Sequence, residues 1–202
     1  MTLTRAGFLI VAYFIGSIPT GYWLGLAWKG IDIRRQGSGN LGATNVFRVL
    51  GAGPGFLTLA IDILKGWIPV LWALHLFPHD LSLAIAAGVA AIAGHTTSVF
   101  VHFRGGKGVA TSAGVFAALL PGPVFAAAAV FTVAFAATRY VSLGSLLGVL
   151  TLAVSSFLWP APRPLAWATV GVAIFVVWTH RTNIQRLLSG TENRLSWPKK
   201  NV

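Results

Sequence analysis

The chain has no cysteine and only four carboxylates, Asp32, Asp62, Asp80 and Glu192. The first absence excludes disulfides, thiolate metal sites and cysteine nucleophiles, and leaves no sign of redox compartment. The second leaves little for carboxylate acid–base catalysis, and no G-x-S-x-G elbow supplies a serine nucleophile in its place. Charge of either sign is scarce, at 9% of 202 residues, where a soluble domain commonly devotes about 25%. The rest is apolar: 55% of residues are hydrophobic and the mean hydropathy is +0.76. This is the composition of a membrane protein, read as a single integral membrane domain over residues 1–202.

A hydrocarbon core roughly 30 Å thick takes about 20 helical residues. Residues 6–28 form a first apolar run, too long for a signal peptide and without an A-x-A site, so a retained helix is expected. Further runs cover 53–77, 81–101, 139–159 and 165–180. Residues 109–138 are broken at Pro121-Gly122-Pro123 into two pieces, each too short to cross upright, and are expected to form a short hairpin. The fold class is all-α, with seven transmembrane helices, two of them short. If the hairpin enters and leaves on one side, residues 29–52, 102–108, 139–145 and 180–202 face one compartment. They carry nearly all the cations, Lys199 and Lys200 of the tail included, while only Arg5 and Arg163 fall opposite. The positive-inside rule then puts these loops and the C-terminus in the cytoplasm and the N-terminus outside. The same rule accounts for the net charge of +11. Nucleic acid is not implied, because the cations are short clusters with no basic helix or aromatic recognition element.

Two cytoplasmic stretches are built from small residues beside a cation, GSGNLGATNVFR at 37–48 and RGGKGVATS at 104–112. Glycines let a ligand approach the backbone, whose N–H groups then face an anion. Ser38, Asn40, Thr44 and Asn45 offer donors, Arg48 can fork onto a phosphate, and Lys107 adds a second cation. The bland alternatives are helix packing for the glycines and interfacial snorkelling for Arg48 and Lys107. Three motif matches mislead. GSGNLG fits G-x-G-x-x-G, with Asp62 twenty residues past Gly42, but no strand precedes it and Asp62 lies in an apolar span. RGGKGV lacks the Ser or Thr that a P-loop needs after its lysine. HLFPHD, from His75 to Asp80, matches an H-x-x-x-x-D acyltransferase dyad, yet Pro78 interrupts it and the topology puts it outside as a turn.

GSGNLGATNVFR, GH followed by FRGGKGVATSAGV, RYVSLGS and HRTNIQRLLSGTEN resemble, in order, the motifs of the bacterial acyl-phosphate-dependent glycerol-3-phosphate acyltransferase family. The likeness covers nearly the whole chain. It implies a multi-pass bacterial inner-membrane enzyme, active site cytoplasmic, that moves a fatty acyl group from acyl phosphate to the 1-hydroxyl of sn-glycerol 3-phosphate. The product is lysophosphatidic acid, at the first acylation of phospholipid synthesis. Its partners are the two substrates and the lipid bilayer. No cofactor, metal or obligate protein partner is implied.

The resemblance makes Ser38, Arg48, Lys107, His180 and Asn183 the catalytic residues. Gly39, Asn40, Thr44, Asn45, Gly105, Gly106, Gly108, Ser142 and Ser145 are assigned to substrate or phosphate binding. His95 and Glu192 are further candidates; for Glu192, an ion pair with a nearby arginine is the plain alternative. Ser98 departs from the pattern, standing where proline is common in GH-x-x-P-x-F. An acyl phosphate is a mixed anhydride with an activated carbonyl, so direct attack without an acyl-enzyme is expected, the protein supplying position and anion stabilisation. Either His180 or a substrate phosphate oxygen takes the hydroxyl proton. A transporter or channel for an anionic phosphorylated metabolite is the rival reading, since it would use similar helix ends and cations.

Overall fold

The structure is a computed structural model that describes residues 3–195, so Lys199 and Lys200 lie outside the described residues. Among those residues every regular element is helical. They fall into two compact units, one ending at Ala118 and the other running from Leu119 to the end of the described chain.

The first unit begins with α1 (Leu3–Ser17) and α2 (Thr20–Lys29). The sequence reads as one helix here, but it breaks at Ile18-Pro19 because Pro19 has no N–H to continue the ladder and its ring crowds the preceding turn. Such a break exposes carbonyls that a bilayer cannot hydrate. Two side chains from elsewhere in the unit cover them: Ser98 Oγ donates to the Ser17 carbonyl, and Lys65 Nζ donates to the Ile18 carbonyl at 2.8 Å. After the polar segment come α3 (Ala43–Leu50) and α4 (Ala52–Leu76), which passes through Pro69 without ending, then α5 (Leu81–Thr96) and α6 (Val109–Leu119). Close approach between these helices depends on missing side chains. A Cβ at Gly94 of α5 would overlap the Tyr13 carbonyl of α1, and one at Gly114 of α6 the Ile63 carbonyl of α4.

The second unit is α7 (Pro121–Thr138), α8 (Val141–Leu158), α9 (Arg163–Thr179) and α10 (Arg181–Leu188). Here the expected pair of short arms is corrected. Pro121 sits in the first turn of α7, where a proline removes only an N–H that no carbonyl would have met. The helix therefore starts at the break, not after it, and its 18 residues suffice to cross a membrane. The shorter apolar helices are α6 and α9.

Among the described residues, five helical stretches are long and apolar enough to span: Leu3–Lys29, Ala52–Leu76, Leu81–Val101, Pro121–Thr138 and Val141–Leu158. Their outward faces carry Trp28, Trp72, Phe125, Val133 and Val154, all exposed. An apolar surface of this extent is unfavourable in water and is the expected face toward lipid tails.

Candidate functional site

In the first unit the stretch 37–48 wraps around its own small core. Ile33, Leu41, Val46 and Leu50 are buried together with Val101, from the short 3₁₀ turn Val99–Val101 that leads into the second glycine-rich stretch. Asn45, buried in α3, holds the turn before it. Its Oδ1 accepts from the Ser38 N–H at 2.8 Å, and its Nδ2 donates to the carbonyls of Gln36 at 3.0 Å and Ile33 at 3.3 Å. Asn45 thus braces the loop that presents Ser38, its amide spent on backbone. Asn40 makes a local turn, its Oδ1 accepting from the Gly42 N–H at 2.8 Å. Ser38 is exposed on this turn beside Gly39, whose φ of +71° suits glycine. Thr44 lies in the first turn of α3, and Arg48, half-buried, in its last turn.

Asp32 is paired with Arg34. Its carboxylate accepts from Arg34 Nε and Nη2, the latter at 2.7 Å, and these bonds hold its pKa below the ordinary carboxylate value. The Arg34 guanidinium also lies over the Tyr22 ring, 4.7 Å from its centroid.

The second stretch is entered through His102 and Phe103, both in the left-handed backbone region, a strained pair of the kind that persists only where surroundings enforce it. Gly105 and Gly106 then run against the end of α5, their N–H groups donating to the carbonyls of Thr96 and His95, each at 3.0 Å. A Cβ at Gly105 would overlap the His95 carbonyl, and one at Gly106 the His95 imidazole. These two glycines serve close approach to α5, and their amides are already used within the chain. Lys107, half-buried, follows, with Gly108 in the left-handed region before α6.

His95 itself is buried among charges. Lys65 Nζ is 2.7 Å from Asp62 Oδ1, Thr20 Oγ1 donates to the same oxygen at 3.3 Å, and His95 Nδ1 lies 3.8 Å from it. In the sequence Asp62 stands out only as the acid of a false fingerprint, and its i, i+3 spacing to Lys65 is the local signal of the pair. In HLFPHD, Asp80 caps α5 by accepting from the Leu83 N–H and pairs with Arg5 at 2.8 Å.

In the second unit Glu192 is the hub. Its Oε1 accepts from Ser142 Oγ at 2.8 Å and Asn183 Nδ2 at 2.7 Å, and its Oε2 pairs with Arg186 Nε at 2.7 Å. The expected arginine pair is present, with two further donors that sequence spacing did not suggest, because Ser142 lies fifty residues away. Burial raises the Glu192 pKa, and the bonds from Arg186, Asn183 and Ser142 outweigh it, leaving the group below its ordinary value. The tail is fastened further by Arg194 over the Tyr140 ring and by the Leu195 N–H donating to the Arg139 carbonyl at 2.9 Å. RYVSLGS and HRTNIQRLLSGTEN are thereby joined. Ser145 instead donates back to the Val141 carbonyl at 2.8 Å. His180, buried at the α9–α10 junction, places Nδ1 2.8 Å from the Val176 carbonyl. A carbonyl can only accept, so this contact requires the ring to donate from Nδ1.

These features define a class: a helical, multi-pass membrane protein whose polar segments hold cations, amides and hydroxyls in folded, braced settings. The chain belongs to the glycerol-3-phosphate acyltransferase family, whose model matches residues 6–190. A protein of that name from Fusobacterium nucleatum is 45% identical over 192 residues, covering 94% of this chain and 97% of its own. One from Halalkalibacterium halodurans is 48% identical, covering 96% and 98%. Among solved structures, PlsY (YgiH), an integral membrane glycerol 3-phosphate acyltransferase in its glycerol 3-phosphate form, superposes with a TM-score of 0.90 at 38% identity, covering 96% of each chain. A lysophosphatidic acid form of PlsY matches with a TM-score of 0.88.

Proposed function

We propose that this chain transfers a fatty acyl group from acyl phosphate to the 1-hydroxyl of sn-glycerol 3-phosphate, giving lysophosphatidic acid and phosphate. The acceptor is that of the family to which it belongs. The observation that carries the reading is family membership over residues 6–190, together with folded loops that each set a cation among small residues. Ser38, Arg48 and Lys107 hold substrate phosphate in the first unit. In the second, His180 and Asn183 contact the reactants, with Glu192 fixing Asn183 and Ser142. The anhydride bond from acyl carbon to phosphate oxygen breaks as the ester bond to the glycerol oxygen forms, and phosphate carries off the electron pair. A phosphate oxygen takes the hydroxyl proton, because the His180 ring is oriented by a carbonyl, a weaker polariser than a carboxylate. Seven helices cross the inner membrane, with the N-terminus outside and the motif-bearing loops and C-terminus in the cytoplasm.

The donor and the absence of an acyl-enzyme are tested together. Purified protein given acyl phosphate and labelled inorganic phosphate, without glycerol 3-phosphate, should incorporate no label into acyl phosphate. It should also fail to use acyl-CoA. Exchange would establish an acyl-enzyme, and turnover with acyl-CoA comparable to that with acyl phosphate would refute the donor.

A further inference from the structure

We infer that His95, backed by the buried Asp62–Lys65 pair, is a positioning residue for the acyl transfer: it forms the seat on which the loop carrying Lys107 rests. The inference rests on the reading of Lys107 as a phosphate-holding residue and adds a part that touches no substrate.

Three buried ionisable groups in the interior of one unit are costly and need a compensating arrangement. Asp62, Lys65 and His95 are 2%, 4% and 7% exposed. Their contacts run in one direction. Lys65 joins the Ile18 carbonyl, freed by the Pro19 break, to Asp62 Oδ1. Thr20, the first residue of α2, donates to the same oxygen. His95 lies beyond, with Nδ1 toward Asp62 and Nε2 against Gly106. Its own carbonyl accepts the Gly106 N–H, so ring and backbone of one residue grip the loop immediately before Lys107. α1, α2, α4 and α5 therefore meet at the cluster, and its outer end is the glycine next to the cation.

This arrangement explains why position 106 is glycine. Its φ is not in the left-handed region, so no backbone conformation demands it. The demand is steric, set by the imidazole. A seat of this kind matters because a misplacement of about 1 Å in a phosphate-holding group can cost about a hundredfold in rate.

Turnover and the KM for each substrate would be measured in detergent for His95→Ala, Lys107→Ala and the double variant, each first shown to be folded by its melting curve. His95→Ala should lower kcat/KM by about tenfold or more. In the Lys107→Ala background it should have almost no further effect, because the group it positions has gone. A damaged Lys107→Ala whose loss multiplies with that of His95→Ala leaves the site reading standing and overturns this inference alone. A folded, fully active Lys107→Ala removes both. A reciprocal pair tests the contact itself. Gly106→Ala should be crippled by collision with the ring, and His95→Ala placed on top should restore at least about tenfold of the loss, the new methyl occupying the vacated space. This pair also serves if His95→Ala alone does not survive detergent. Absence of rescue in a folded double variant would overturn the inference.

Discussion

At the level of single residues, side chains proposed to hold substrate differ from side chains that brace the site. Losing one charge-assisted contact in a partly dehydrated pocket costs on the order of 1.5–3 kcal/mol. Arg48→Ala and Lys107→Ala should therefore each lower kcat/KM by roughly 10- to 150-fold. Asp80→Ala should leave the rate within a few-fold, yet cost about 1 kcal/mol of stability through the lost α5 cap; steady-state kinetics beside a melting curve checks both halves. Glu192 gives a pH signature. Its folded pKa lies below the ordinary 4.5, so the stability it contributes is complete above that value and is lost only as pH falls through the lower, folded one. The melting difference between wild type and Glu192→Gln should stay constant from neutral pH down to about 5 and shrink below it. A difference that vanishes between about pH 7 and 5 would mean that the carboxylate is not held by Arg186, Asn183 and Ser142. The sequence named Glu192 and one arginine as a pair, because a helix and its following turn are local. It could not name Ser142 as a partner, since nothing in local spacing encodes a fifty-residue return. Nor does local spacing encode the brace that Asn45 gives to the turn carrying Ser38.

At the scale of elements, apolar runs made the helices legible, and prolines set the errors. Pro19 lies inside a long apolar run and ends α1, whereas Pro121, at the break in residues 109–138, starts a helix long enough to span. A proline breaks a helix in its interior and is accommodated in its first turn, and composition alone does not say which applies. Ser98 stands where proline is common in the GH-x-x-P-x-F pattern. Its hydroxyl is one of the two groups that cover the carbonyls freed at Pro19. The glycine contacts were legible as helix packing in kind but not in partner. Gly114→Leu should push α6 off α4 at Ile63, costing about 1–3 kcal/mol or more. Gly171, with open space around the position of a Cβ, should accept alanine with an unchanged melting temperature. Equal loss at both positions would show that glycine matters there for some reason other than the α4–α6 approach.

At the scale of the whole molecule, the sidedness of charge is what the sequence states most plainly, because inserted loops keep the sign that membrane insertion selects. Cysteines introduced at the exposed positions Arg35 and His79 should behave oppositely toward an impermeant reagent on intact cells, His79→Cys reacting and Arg35→Cys shielded. Reaction of both from outside would end the proposed topology. Transfer from acyl phosphate is separated from transport by purified protein in detergent, where there is no compartment to transport across. Acyl phosphate alone should release no phosphate. Added glycerol 3-phosphate should start release, with one lysophosphatidic acid formed for each phosphate freed. Folded protein that binds glycerol 3-phosphate but forms no lysophosphatidic acid, or that frees phosphate equally with and without the acceptor, would contradict the account.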